Sequence, residues 1–106
     1  MSKSNLAALP ATNQYEIVVE VRPGSGNAAF FADVEFRFAG RSVKILGCPV
    51  WRGKSGELQP DLPTKPGSKN PAKRFPLFEL DPDLLREVFH AIRVACEEYR
   101  KAEHNR

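Results

Sequence analysis

The chain has 106 residues, 42% hydrophobic and 27% charged, with a formal net charge of +3. That size and balance fit one folded domain with a thin core, and no apolar run reaches the about 18 residues that a membrane span needs. The charge is polarised: between Arg41 and Arg74 eight Lys/Arg stand against only Glu57 and Asp61, while residues 1–40 and 76–106 are each slightly acidic.

Residues 1–14 predict a loose arm, with no sustained apolar block of the kind a secretory signal carries. From Tyr15 to Arg22 the chain alternates, with Tyr15, Ile17, Val19 and Val21 on one face and Glu16, Glu20 and Arg22 on the other. A period of two rich in β-branched residues predicts a half-buried strand over about 15–22. The cluster Pro23-Gly24-Ser25-Gly26-Asn27 predicts a turn. A second strand over about 28–39 should face Phe30, Ala32, Val34, Phe36 and Phe38 inward, with Asp33, Glu35 and Arg37 outward and Phe31 on the outer face. Gly40 marks a tight reversal into a third strand over about 41–51, with Val43 and Ile45 inward and an interruption near Pro49.

The stretch 53–74 predicts a basic, proline-stiffened loop, because Pro60, Pro63, Pro66 and Pro71 oppose both a helix and a central strand. Phe75 to about Glu79 predicts a short edge strand. A helix follows over about 82–102. Asp81 suits its N-cap, Pro82 its first position and Asp83 the positive end of its dipole. Leu80 and Leu85 have the spacing of a hydrophobic staple. Leu85, Val88, Phe89, Ile92, Ala95, Cys96 and Tyr99 form an apolar stripe at helical spacing, with Glu97 and Lys101 a favourable pair on the polar face. The predicted fold class is α+β: an antiparallel β-meander with short additional strands, one face covered by a C-terminal α-helix.

Catalytic constellations are scarce. His90 and His104 have no metal-spaced partners, and Gly24 and Gly26 lead into a strand where a phosphate cradle would open a helix. Cys48 and Cys96 form no CxxC pair and no disulfide framework; Cys48 is the one candidate reactive thiol, and Cys96 fits a small core hydrophobe. No enzyme activity and no cofactor are expected, in a reducing, cytoplasmic setting. A concentrated positive surface beside an aromatic ring is instead the footprint of a polyanion partner. Lys54, Lys65, Lys69, Lys73 and Arg74 would track phosphates, with Trp51 beside Arg52 available for base stacking.

Several short stretches carry a resemblance: Val43-Lys44-Ile45-Leu46, Gly56-Glu57-Leu58, Leu62-Pro63-Thr64-Lys65, Phe75 to Leu80, and a helix ending Glu97-Glu98-Tyr99. Over about residues 15–102 the chain resembles the stage V sporulation protein G (septation regulator) family. The resemblance implies a bacterial, regulatory, homodimeric α+β domain that binds DNA or RNA without enzymatic activity. Lys65 falls on the basic residue that closes the family's Met-Pro-Ser-Lys motif, and Lys69, Lys73 and Arg74 fall in its polar connecting loop. The chain departs at the helix start, where relatives carry Arg and Lys and this chain has Asp81, Asp83 and Glu87 around Arg86. It also has Phe78-Glu79-Leu80 in place of His-Pro-Ile. The expected function is nucleic-acid binding through Trp51, Arg52, Lys54, Lys65, Lys69, Lys73 and Arg74; the alternative is a dimeric protein-interaction module that uses sheet edges and Phe31.

Overall fold

The computed structural model describes residues 15–77 and 79–104, so the expected arm over 1–14 and Phe78 lie outside the described residues. Four strands, β1 (Glu16–Pro23), β2 (Ala28–Phe38), β3 (Arg41–Arg52) and β4 (Leu58–Pro60), pair in chain order as one antiparallel sheet. A separate two-stranded hairpin follows, β5 (Thr64–Pro66) with β6 (Arg74–Pro76), and then one helix, α1 (Pro82–His104). The fold is α+β, a four-stranded meander plus a short hairpin, with the C-terminal helix packed against the strands.

The alternation seen in the sequence puts Ala28, Phe30, Ala32, Val34 and Phe36 of β2 in the core. They meet Val88, Ile92 and Cys96, which recur one turn apart on α1 and are fully buried. Ile17, Val19 and Val21 of β1 pack against the same cluster. Each such side chain taken out of water contributes about 1.5–3 kcal/mol before ordering costs, and no polar or charged residue among those described is buried with them. Two contacts fix the direction of α1. The Tyr15 hydroxyl donates to Glu87 Oε1 at 2.9 Å, and Tyr99 meets Phe30 edge-on at 5.8 Å between ring centroids. Because Phe30 lies at the start of β2 and Tyr15 beside its end, α1 runs antiparallel to β2.

Asp81 caps the helix as its residue type requires: its carboxylate accepts the Leu84 N–H at 2.9 Å. Leu84, rather than the expected Leu85, packs with Leu80 against the core. On the polar face Glu97 pairs with Arg100 at 3.1 Å instead of with Lys101.

The third strand departs most from its expected form. It runs through Pro49 to Arg52, and it does so by means of a bulge. Ala32 pairs with Cys48 and Val34 with Ile45, so Leu46 and Gly47 together oppose Asp33. Gly47 sits at φ 73°, a conformation that costs an ordinary L-residue about 1–2 kcal/mol. The extra residue reverses the in–out parity of β3. Ile45 is buried before it, and Cys48 and Val50 are buried after it. Val43 and Phe38, both expected inward, are 53% and 43% exposed. They flank the β2–β3 turn, where the Ala39–Gly40 pair has φ of 51° and 72°, the two positive values of a tight right-twisting hairpin.

The region 53–74 is likewise more structured than a loop. Leu58–Pro60 adds to β3 as the fourth strand, with Leu58 buried on the helix side and Arg93 of α1 donating to the Leu58 carbonyl at 3.3 Å. Pro60 is accommodated because β4 is an edge, where a missing N–H costs no ladder bond. Of the strand expected over 75–79, residues 75 and 76 do pair, but with β5 and not with the meander.

Candidate nucleic-acid interface

The seven expected contact residues fall on two hairpins in two different sheets. Trp51, Arg52 and Lys54 belong to the β3–β4 hairpin; Lys65, Lys69, Lys73 and Arg74 belong to the β5–β6 hairpin. Successive strand residues point to opposite faces, so Trp51 and Arg52 diverge. Val50 and Leu58 are buried on the helix side, which places Trp51, paired with Gln59 and 38% exposed, on the outer face of the sheet. Lys54 stands in the turn closed by the Gly53 N–H to the Glu57 carbonyl at 2.8 Å.

The β5–β6 hairpin is better organised for a ligand. From Lys65 to Leu77 every residue except Gly67 is exposed, and no Asp or Glu occurs from Leu62 to Leu77. A hairpin this short is marginal by itself, so local bonds must hold it. The Gly67 N–H donates to the Lys73 carbonyl at 2.8 Å and the Lys73 N–H to the Asn70 carbonyl at 3.0 Å. Asn70 Oδ1 accepts the Ala72 N–H at 3.1 Å, a side-chain turn that favours Asn at this position. Arg74 Nε donates to Thr64 Oγ1 and its Nη2 to the Thr64 carbonyl, both at 3.0 Å. Pro63, Pro66, Pro71 and Pro76 further reduce the freedom that the hairpin loses on ordering.

Register then sorts the side chains. Lys65 pairs with Phe75, and Pro66 with Arg74. Lys65 and Phe75 therefore share one face, and Arg74 lies on the other, where it braces Thr64. Lys69 and Lys73 line a recess of about 320 Å³ together with Gly67, Ser68, Asn70 and Phe75. Among the described residues none of Lys54, Lys65, Lys69 and Lys73 has an ion-pair partner.

Phe75 is absent from the expected contact residues, yet its ring forms a wall of this recess. The turn signals Pro66-Gly67 and Asn70-Pro71 between the strand pairs Thr64-Lys65 and Arg74-Phe75 were the available clue. The acidic residues around the helix start are occupied in the fold. Asp81 caps α1, Asp83 pairs with Arg86, and Glu87 holds Tyr15. Burial first, and then Glu87, push the Tyr15 phenol up to about 12.

Cys48, the one candidate reactive thiol, lies in the core. Cys48 and Cys96 are both fully buried, and burial pushes each thiol up to about 11, with Asp33 and Asp61 adding to the effect at Cys48. At neutral pH both are therefore protonated and shielded. Among the described residues no group of three or more His, Cys, Asp and Glu is arranged to hold a metal ion, and no helix is long and apolar enough to cross a membrane.

On the outer sheet face Arg22 lies over the Phe31 ring at 5.8 Å and pairs with Asp33 at 2.6 Å. Asp33 Oδ1 also accepts the N–H of the bulge residue Gly47 at 2.8 Å. The Arg22 guanidinium, followed by the Gly47 N–H, holds the Asp33 carboxyl below its ordinary value. Protons therefore bind the unfolded chain more readily, and the Asp33 contribution to stability is present above about pH 4 and lost as pH falls through the folded value. Asp33→Asn is expected to lower the urea midpoint at pH 6, and the gap from the parent should narrow as pH falls below about 4. A gap that stays constant as pH falls would show that the carboxylate charge is not what holds the bulge.

Comparison of the chain with protein-family models, with curated proteins and with solved structures finds no match.

Proposed function

We propose that this chain is a non-enzymatic nucleic-acid-binding protein that grips phosphates through the β5–β6 hairpin. The single observation that carries the reading is the grouping of Lys69 and Lys73 around one exposed recess, next to Lys65, on a hairpin free of carboxylates. Unpaired ammonium groups on a pre-ordered support lose little freedom when they meet phosphate, and each contact releases condensed counterions. The septation-regulator resemblance points the same way, toward a DNA- or RNA-binding regulator that works as a homodimer.

The test is an anisotropy titration with labelled oligonucleotides at 50 and 200 mM salt. Affinity is expected to fall about tenfold or more between the two, as three or more phosphate contacts require. Absence of binding at 50 mM salt, or affinity indifferent to salt, refutes the reading. The competing reading, a dimeric protein-interaction module, draws on the outer sheet face, where Leu46 is 64% exposed and Trp51 38%. It predicts sedimentation as a dimer together with no retention on heparin near physiological salt.

A further inference from the structure

The recess on the β5–β6 hairpin contains more than charge. Phe75 is 43% exposed although it lies in a strand, and neither it nor its neighbour Leu77, 51% exposed, joins the core cluster. Exposed on a hairpin free of carboxylates, the ring is apolar surface whose covering by a partner would be favourable. The ring is seated closely on the backbone: a Cβ at Gly67 would come within 2.8 Å of Phe75 Cε2 and 2.9 Å of the Asn70 carbonyl oxygen. Glycine at position 67 is thus what lets the ring lie against the chain. Around that ring stand Lys65 across the strand pair and Lys69 and Lys73 in the recess.

We propose that Phe75 is a base-stacking platform and that the ligand of the hairpin is single-stranded nucleic acid. This deepens the phosphate-binding reading above and rests on it. A flat ring bordered by three ammonium groups matches the two chemical faces of an unpaired nucleotide: the base lies on the ring, and the phosphates on either side meet the lysines. A duplex cannot use the ring, because the faces of its bases are already stacked on one another. Stacking on a phenyl ring tolerates every base, since each presents a π-face, so the site is expected to be weakly selective for sequence. Two other exposed rings among the described residues lack this setting: Trp51 has Ala28 and Gln59 as strand neighbours, with Arg52 on the opposite face, and Phe38, 43% exposed, shares its surface with the carboxylates Glu16 and Glu35.

The test compares the parent chain with Phe75→Leu, which keeps apolar bulk and removes the ring, and with Phe75→Tyr, which keeps the ring. Three probes separate the terms: a labelled oligothymidylate of about twelve nucleotides, within the usual site size for such folds, the same strand annealed to its complement, and inorganic polyphosphate, which has charge and no bases. Phe75→Leu is expected to weaken binding of the single strand about 5- to 150-fold, the range for loss of one base–ring stack. Its polyphosphate affinity and its salt slope should match those of the parent, Phe75→Tyr should bind as the parent does, and the parent should prefer the single strand to the duplex. Equal affinity of Phe75→Leu and the parent for the single strand, or a matching loss toward polyphosphate, overturns the stacking platform while leaving phosphate binding intact. Failure of the parent to bind any of the three overturns both. Because Phe75 lies outside the core, an unchanged thermal midpoint for Phe75→Leu is expected and confirms that the comparison is made on folded protein.

Discussion

Ile92→Ala is expected to cost about 3–4 kcal/mol of folding stability, within the range for emptying a buried Ile site. Ile92 is fully buried midway along α1, one turn from Val88 and one from Cys96, both also fully buried. It is the largest of the fully buried side chains. Its β-branched chain is held in one rotamer by the helix, and the sheet opposite is braced by the β2–β3 ladder, so the cavity has little means of closing. Against a total of about 5–15 kcal/mol for a domain of this size, the loss is a large fraction. It should lower the melting temperature by about 12–30 °C. Val94 lies on the same helix but is 43% exposed, and Val94→Ala should change stability by no more than about 0.5 kcal/mol. Chemical denaturation of the two variants gives both numbers. A cost below about 1 kcal/mol at Ile92 would mean that α1 does not cover the meander as described.

The same helix shows how much of the fold was legible. Its cap, first residue and apolar stripe are local signals, each with a direct physical cause, and all of them point to one helix from Pro82. The first two strands were equally legible, because strict alternation leaves one choice of buried face. Legibility ended where one residue changes the rule. Gly47 inserts a bulge, so the core residues after Ile45 are Cys48 and Val50, each one position later than simple alternation allows. A glycine inside a strand pattern is a bulge signal in its own right, and Pro49 two residues later drew the expectation of a break instead. The exposure of Phe38 and Val43 was not readable either, because it depends on how far the helix reaches along the sheet.

The basic segment was legible in charge and not in shape. Its prolines correctly spoke against a helix, but three-residue strands are too short for a periodic pattern to appear. Pairing of Lys65 with Phe75 and of Pro66 with Arg74 is what separates the lysines from Arg74 and brings a ring among them. Composition alone weights Arg74 and Trp51 as highly as Lys69 and Lys73. Register does not: it gives Arg74 a bracing role on Thr64 and leaves Trp51 on another sheet.

Replacing Lys65, Lys69 and Lys73 together by alanine is expected to reduce affinity for a single-stranded oligonucleotide about 100-fold at 0.1 M salt. The number follows from counterion release: each phosphate contact on a single strand contributes about 0.7 to the slope of log K against log salt, so three contacts contribute about 2. The difference between parent and variant should therefore shrink as salt rises and nearly vanish toward 1 M, where the released ions gain no entropy of dilution. The fold should not suffer. All three side chains are exposed and none has an ion-pair partner among the described residues, so melting temperatures of parent and variant should agree closely. Lys101→Ala, which removes one charge at the exposed end of α1, separates local contact from net charge: it should leave the slope almost unaltered. If Lys101→Ala lowers affinity as much per charge as the hairpin lysines do, attraction is diffuse and the hairpin is not the binding element. If the triple variant keeps the parent's slope, phosphate recognition lies elsewhere on the chain, and the recess beside Phe75 is a solvated turn.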